Sequence, residues 1–189
     1  TYVEASFEHP FMKREIHELA PDDLAEIVDR IVRLEGPIHR AEIARRVTSL
    51  WGLKRMGGRI ENAVRRALEQ SARRGRLEEI EGFYSTFGQK EFPVRSRESV
   101  GSITLRKPDM LPPQELDAAI TSFVAAHISA SPAEIARAVA RLLGFKATGS
   151  QFKSRIESRI GFLISAGVLA RDHEVLRLTE EYANPSASR

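Results

Sequence analysis

The sequence predicts a mainly helical fold with small β-hairpins, built as two tandem winged-helix (helix-turn-helix) repeats. Three observations predict it. The chain repeats itself at a fixed offset, each copy carries three stretches of apolar residues at helical spacing, and each copy closes on a short strand–turn–strand pattern.

Displacing the chain by 92 residues lays positions 21–77 on 113–169 without a gap, with 15 identical pairs in 57. The densest block sets Ala41 to Val47 over Ala133 to Val139, interrupted only by Arg46 against Ala138. Leu50, Gly52, Lys54 and Gly57 then recur as Leu142, Gly144, Lys146 and Gly149. Many remaining pairs exchange one apolar side chain for another (Val28 and Ile120, Ile60 and Phe152), so a buried pattern repeats along with the identities.

In the first copy, Asp22 and Asp23 precede Leu24, Ile27, Val28 and Ile31, an acidic helix start followed by an apolar face. Gly36-Pro37 stops this helix, because proline cannot continue the hydrogen-bond ladder. Ile43, Val47 and Leu50 line a second helix that ends at Gly52. A third begins near Gly58, carries Ile60, Val64, Ala67, Leu68 and Ser71 on one side, and is closed by Gly75. Leu77 to Ile80 and Phe83 to Thr86, around Glu81-Gly82, read as a hairpin. The second copy repeats the order with helices over Leu116–Phe123, Ile135–Leu142 and Phe152–Leu163, then Val168-Leu169 and Val175–Leu178 flanking the polar turn Asp172-His173-Glu174. The expected organisation is a lead segment at 1–20, a first repeat at 21–87, a linker at 88–112 in which only Ile103-Thr104-Leu105 looks strand-like, a second repeat at 113–182 and a tail at 183–189.

Composition narrows the function classes. With no cysteine there is neither a disulfide nor a thiolate metal site, and no run of about 18 apolar residues exists to span a bilayer. The expectation is a soluble protein of the reducing cytoplasm, without membrane partners. Opening at Thr1 with no leader pattern, the sequence reads as a piece of something longer. Net charge is only +3, but Arg40 to Arg76 holds eleven basic and three acidic residues.

That charge falls on the third helix of the first copy. A helical wheel that buries Ile60, Val64, Ala67 and Ser71 leaves Arg59, Asn62, Arg65, Arg66, Glu69 and Arg73 toward solvent. In helix-turn-helix modules this helix enters the major groove, where arginine suits phosphate and guanine edges and asparagine suits adenine. Lys54 and Arg55 before the helix, and Arg74 and Arg76 after it, are placed to reach flanking phosphates. The corresponding face of the second copy holds Gln151, Ser154, Glu157 and Ser158, with Lys153, Arg155 and Arg159 at its margins, and is far less positive. The expectation is that the first repeat supplies most of the affinity for nucleic acid, double-stranded DNA foremost, while the second orients the first or docks onto a protein, with Lys146 and Lys153 as its candidate nucleic-acid contacts. An arginine-rich helix face is also ordinary solvated surface, and winged helices serve as protein-docking modules, so docking without nucleic-acid contact stands as the alternative.

Signals for catalysis are weak. Gly52-Leu53-Lys54-Arg55-Met56-Gly57-Gly58 lacks the Gly-Lys-Ser/Thr of a phosphate-cradling loop and reads as a turn between helices. Trp51, replaced by Leu143 in the second copy, suits packing better than base stacking. The five histidines lack metal-ligand spacing. Glu35 and His39 flank the Gly-Pro turn as a conceivable acid–base pair, but their counterparts are His127 and Ser131. No enzyme active site, metal, cofactor or small-molecule substrate is expected.

The run Glu35-Gly36-Pro37-Ile38-His39, then Ala44-Arg45-Arg46-Val47, then Trp51 to Ile60 resembles an uncharacterised domain near the C-terminus of large bacterial superfamily-one helicase-like proteins, which often also carry a Vsr-like endonuclease domain. The likeness is concentrated in residues 21–87; Pro93 to Arg97 and the second repeat are compatible with it. It implies a DNA-handling context, with neighbouring domains of a parent helicase or nuclease as partners. No catalytic residue carries over, since neither a Walker motif nor a nuclease carboxylate cluster is present.

Overall fold

The computed structural model describes residues 1–183, so the expected tail at 183–189 lies, beyond Ala183, outside the described residues. The chain is mainly helical with small antiparallel sheets and divides into two compact units. One comprises Tyr2–Glu91 with Val100–Leu105, and the other comprises Phe92–Ser99 with Arg106 onward, together with Thr1. Of the residues read as a linker, 92–99 therefore belong to the C-terminal unit and 100–105 to the N-terminal one.

In the N-terminal unit, α1 (Pro21–Glu35) buries Leu24, Ile27, Val28 and Ile31, as its helical spacing predicts. It stops at Gly36, ahead of a cis Gly36–Pro37 bond. A two-residue strand, β1 (Ile38–His39), leads into α2 (Arg40–Leu50), and α3 (Gly58–Arg73) follows. The hairpin of β2 (Leu77–Ile80) and β3 (Phe83–Thr86) turns through Glu81 and Gly82, both at positive φ, and β1 joins it in the order β1-β3-β2. Helix α3 sends Ala63, Val64, Ala67, Leu68 and Ser71 inward against the α1 face. The lead segment is part of this unit rather than a free arm, with Ala5, Ile16 and Leu19 in its core.

The C-terminal unit repeats the order. Helices α4 (Pro113–His127), α5 (Pro132–Leu142) and α6 (Ser150–Ser165) and strands β4 (Leu169–Asp172) and β5 (Val175–Leu178) each start and end 92 residues after their counterparts. A last short helix, α7 (Glu180–Ala183), has no equivalent among the repeated elements. The pairing repeats as well, since the bridge between Ala130 and Leu176 sits at the same offset from the Ile38–Tyr84 pair. Asp172 ends β4 instead of opening the turn, which is formed by His173 and Glu174. The strand-like Ile103–Leu105 is a 3-10 turn (Ile103–Arg106): the Ser102 and Thr104 hydroxyls donate to Glu42, and Leu105 packs with Tyr2 and Val100, so no ladder forms. No helix among the described residues is long and apolar enough to cross a membrane.

Candidate nucleic-acid interface

Helix α3 owes its position to its apolar stripe, and the residues that stripe leaves over form the exposed face. Lys54, Arg55, Arg59, Asn62, Arg65, Arg66, Arg73, Arg74 and Arg76 are all exposed. Arg59, Arg66 and Arg73 recur every seven residues, so they form one ridge along the helix, about 10 Å between neighbours at 1.5 Å rise per residue. Asn62 lies beside that ridge.

The nine side chains separate by what they touch. Among the described residues, Lys54, Arg55, Arg59, Asn62 and Arg66 have no hydrogen-bond or ion-pair partner for their side chains. Arg73 donates from Nε to the Glu69 carbonyl at 3.3 Å and, among the described residues, meets no carboxylate. Arg65 pairs with Glu69 one turn on, at 2.7 Å, both side chains being about half exposed. Such a pair contributes a few tenths of a kcal/mol and exchanges partners readily. Arg74 binds Asp22 at 2.9 Å, and Gln70 donates to the same carboxylate at 2.8 Å. The Arg74 hydrogen bond, then that of Gln70, holds the Asp22 carboxyl below the ordinary range. Arg76 reaches Asp29, a nearly buried carboxylate, at 3.1 Å. Arg74 and Arg76 are therefore committed to α1 carboxylates, and the positive charge without a carboxylate partner runs along α3 from Arg59 to Arg73 and into the loop before it.

The hairpin beside this helix has the opposite sign. Glu79 and Glu81 are exposed and Glu78 half-buried, while Ile80 and Phe87 stand 44% and 64% exposed.

On α6, Gln151, Lys153, Ser154, Glu157 and Ser158 are exposed. The two marginal arginines are engaged internally: Arg155 donates to the Leu111 carbonyl at 2.6 Å, and Arg159 forms a two-bond grip on Asp117 at 2.8 and 2.5 Å. Lys146 stands exposed in the loop before α6.

The residues considered for acid–base work do something else. Glu35 is fully buried and takes hydrogen bonds from Arg46, the Tyr2 hydroxyl and the Ala5 amide. His39 caps α2, its Nδ1 accepting from the Ala41 amide at 3.2 Å, and Ser131 caps α5 at the equivalent place. Two buried ion clusters escaped the sequence reading. One joins Glu35, Arg46 and Glu4, and the other joins Glu115, Arg97 and Arg95. Arg137 and Arg141, one turn apart on α5, are exposed as well, on a helix that the helix-turn-helix pattern does not single out for groove contact. No three His, Asp or Glu side chains among the described residues converge as metal ligands.

A family model described as "Protein of unknown function (DUF3320)" matches residues 14–62, a stretch spanning α1, α2 and the start of α3. No curated protein and no solved structure matches the chain.

Proposed function

We propose that this chain is a non-catalytic nucleic-acid-binding module of two winged-helix units, with duplex DNA as its ligand and α3 as the recognition helix. The observation that carries the reading is the unpaired cationic ridge of Arg59, Arg66 and Arg73 beside Asn62, continued by Lys54 and Arg55 in the preceding loop. Guanidinium groups on a convex helix, held by no carboxylate, lose little when they meet phosphate oxygens or guanine edges. Three helices followed by a hairpin, with a strand between the first two joining the sheet, agree with a winged-helix arrangement in the first unit. The acidic hairpin is repelled by phosphate, so α3 and its leading loop make the contact and the wing stays clear.

The resemblance to a C-terminal domain of helicase-like proteins supports a parent protein whose motor and nuclease chemistry lie in other domains, in the cytoplasm. In that setting the module positions the parent on its substrate.

A second reading is protein docking, favoured by exposed Ile80 and Phe87 on the acidic hairpin. Fluorescence anisotropy with a labelled duplex across about 50 to 200 mM salt separates the two. Five unpaired cations at about 0.9 ion per phosphate predict a log–log slope of about −4 to −5. Absence of binding at the lowest salt sinks the nucleic-acid reading and leaves docking.

A further inference from the structure

The geometry points to a second nucleic-acid site, for an unpaired strand, on the C-terminal unit. It lies in a concavity of about 430 Å³ between the second half of α5 and the loop that follows, lined by Arg137, Arg141, Phe145, Lys146 and Thr148 with Ala140 and Ala147. This inference rests on the nucleic-acid reading above and names a different unit, a different helix and a different form of the ligand.

Among the described residues, three cations line this concavity and no carboxylate does. Arg137, Arg141 and Lys146 are exposed and, among the described residues, have no hydrogen-bond or ion-pair partner. The nearest acid on the same helix, Glu134, accepts from the hydroxyl and amide of Ser131 in the capping box of α5, which keeps it charged, and it lines a neighbouring concavity with Arg137 and Arg141. Glu98 lines the adjoining concavity, where Lys146 also stands with Arg106. Glu157 and Glu174 line another concavity beside Arg137, so carboxylates ring the site, but its own lining carries three positive charges, which suits successive phosphates of a backbone.

Phe145 supplies the second half of the argument. Its ring is half-buried, packs on the core, and is backed by Phe152 with ring centroids 5.1 Å apart, so it is a fixed platform. It lines both this concavity and the neighbouring one of about 180 Å³. A rigid aromatic ring between cations is the arrangement that stacks a base while its phosphates are neutralised. In a duplex the base faces are hidden within the stack, so a recessed ring reaches only an unpaired base. The first copy lacks these features: Leu53, Ser49 and Arg55 replace Phe145, Arg141 and Ala147, and the Arg45 that matches Arg137 is paired with Glu42 at 2.5 Å.

The test uses the full chain and two fluorescein-labelled probes, an oligo-dT strand of about 12 nucleotides and a duplex of the same length, matched to the usual strand footprint of such sites. Phe145→Leu, which installs the residue the first copy already carries, is expected to weaken oligo-dT about fivefold or more by removing one stacked base, leaving the duplex within about twofold. The charge reversal Arg141→Glu with Lys146→Glu is expected to weaken oligo-dT by about tenfold or more and to flatten its salt dependence by about one to two units of slope. Unchanged circular dichroism keeps either loss attributable to the site. Oligo-dT affinity that ignores both variants overturns the proposal, as does equal loss for strand and duplex. Arg59→Glu with Arg66→Glu distinguishes the two readings: it removes duplex binding if α3 is the recognition helix, and its failure to do so counts against α3 and not against the α5 concavity.

Discussion

Arg46 on α2 grips Glu35 at the end of α1 through two hydrogen bonds, Nε to Oε1 at 2.5 Å and Nη2 to Oε2 at 2.9 Å, inside the N-terminal unit. Its remaining Nη1 reaches Glu4, whose carboxylate also accepts from the Gly101 and Ser102 amides. One guanidinium thus ties α1, α2, the lead segment and residues 100–105 into a single unit.

Removing one partner leaves a buried charge without its counter-ion. Arg46→Ala is expected to destabilise the N-terminal unit by about 3 to 5 kcal/mol. Trp51, the one tryptophan, lies in this unit with its indole N–H on the Arg14 carbonyl at 2.8 Å, so its fluorescence during urea denaturation follows the right transition. A midpoint equal to that of the unaltered chain contradicts the assignment.

Acid should loosen both units. Burial pushes the Glu115 carboxyl up, but the hydrogen bonds and charge of Arg97, with Arg95, outweigh it and hold the group below the ordinary carboxylate range. Burial likewise raises Glu4, and the Ser102 amide, Arg46 and the Gly101 amide bring it lower overall. A depressed folded-state pKa contributes stability that is complete above the unfolded value and disappears as pH falls through the folded one. The denaturation midpoint is therefore expected to stay level near neutrality and to decline below the usual carboxylate range. Glu115→Gln should reduce that decline for the C-terminal unit, and an undiminished slope in this variant rules the pairing out as its source.

Gly52 and Gly144 end equivalent helices at φ +69 and +78, yet their surroundings differ. A Cβ on Gly52 meets nothing within 4 Å, whereas one on Gly144 lies 2.6 Å from the Ser96 hydroxyl, 2.7 Å from the Glu98 amide nitrogen and 3.0 Å from that of Arg97. Gly52→Ala should cost about 1 kcal/mol for the left-handed backbone. Gly144→Ala should cost clearly more, because residues 96–98 must move and the Arg97 amide must leave the Leu143 carbonyl, at 2.9 Å. Comparable melting temperatures for the two variants would remove the steric argument.

Arg59→Glu with Arg66→Glu should weaken duplex binding by at least about a hundredfold at low salt, since two phosphate contacts are lost and two repulsions created. Thermal stability should shift by less than about 0.5 kcal/mol, because both side chains are exposed and unpaired. A large drop in stability would show that these arginines pack the fold.

Helix limits were legible because they are local. Gly36-Pro37, Gly52 and Gly75 mark chain exits whose backbone chemistry needs no tertiary partner; Gly52 and Gly75 recur as Gly144 and Gly167, while Ile128-Ser129 stands where Gly36-Pro37 would. Exposure along α3 was legible from one wheel for the same reason. What Arg74 and Arg76 touch was not, since their partners Asp22 and Asp29 lie 52 and 47 residues away on α1. The Glu35–Arg46 pair did leave a trace: the second copy has His127 and Ala138 there, so both charges are absent together. The Arg97–Glu115 cluster left none, because Arg97 sits outside the repeated stretch. The shared edge of the concavity before α6 was hidden too, since Phe145 reads as one more core residue until its uncovered side is seen.

The glutamates along β2 and its turn, set against the arginines of α3, make the N-terminal unit a small electric dipole. On the nucleic-acid reading proposed above, an approaching polyanion would be torqued before it touched, cationic side leading, so that collisions arriving from the strand side would be deflected and fruitless orientations would be fewer.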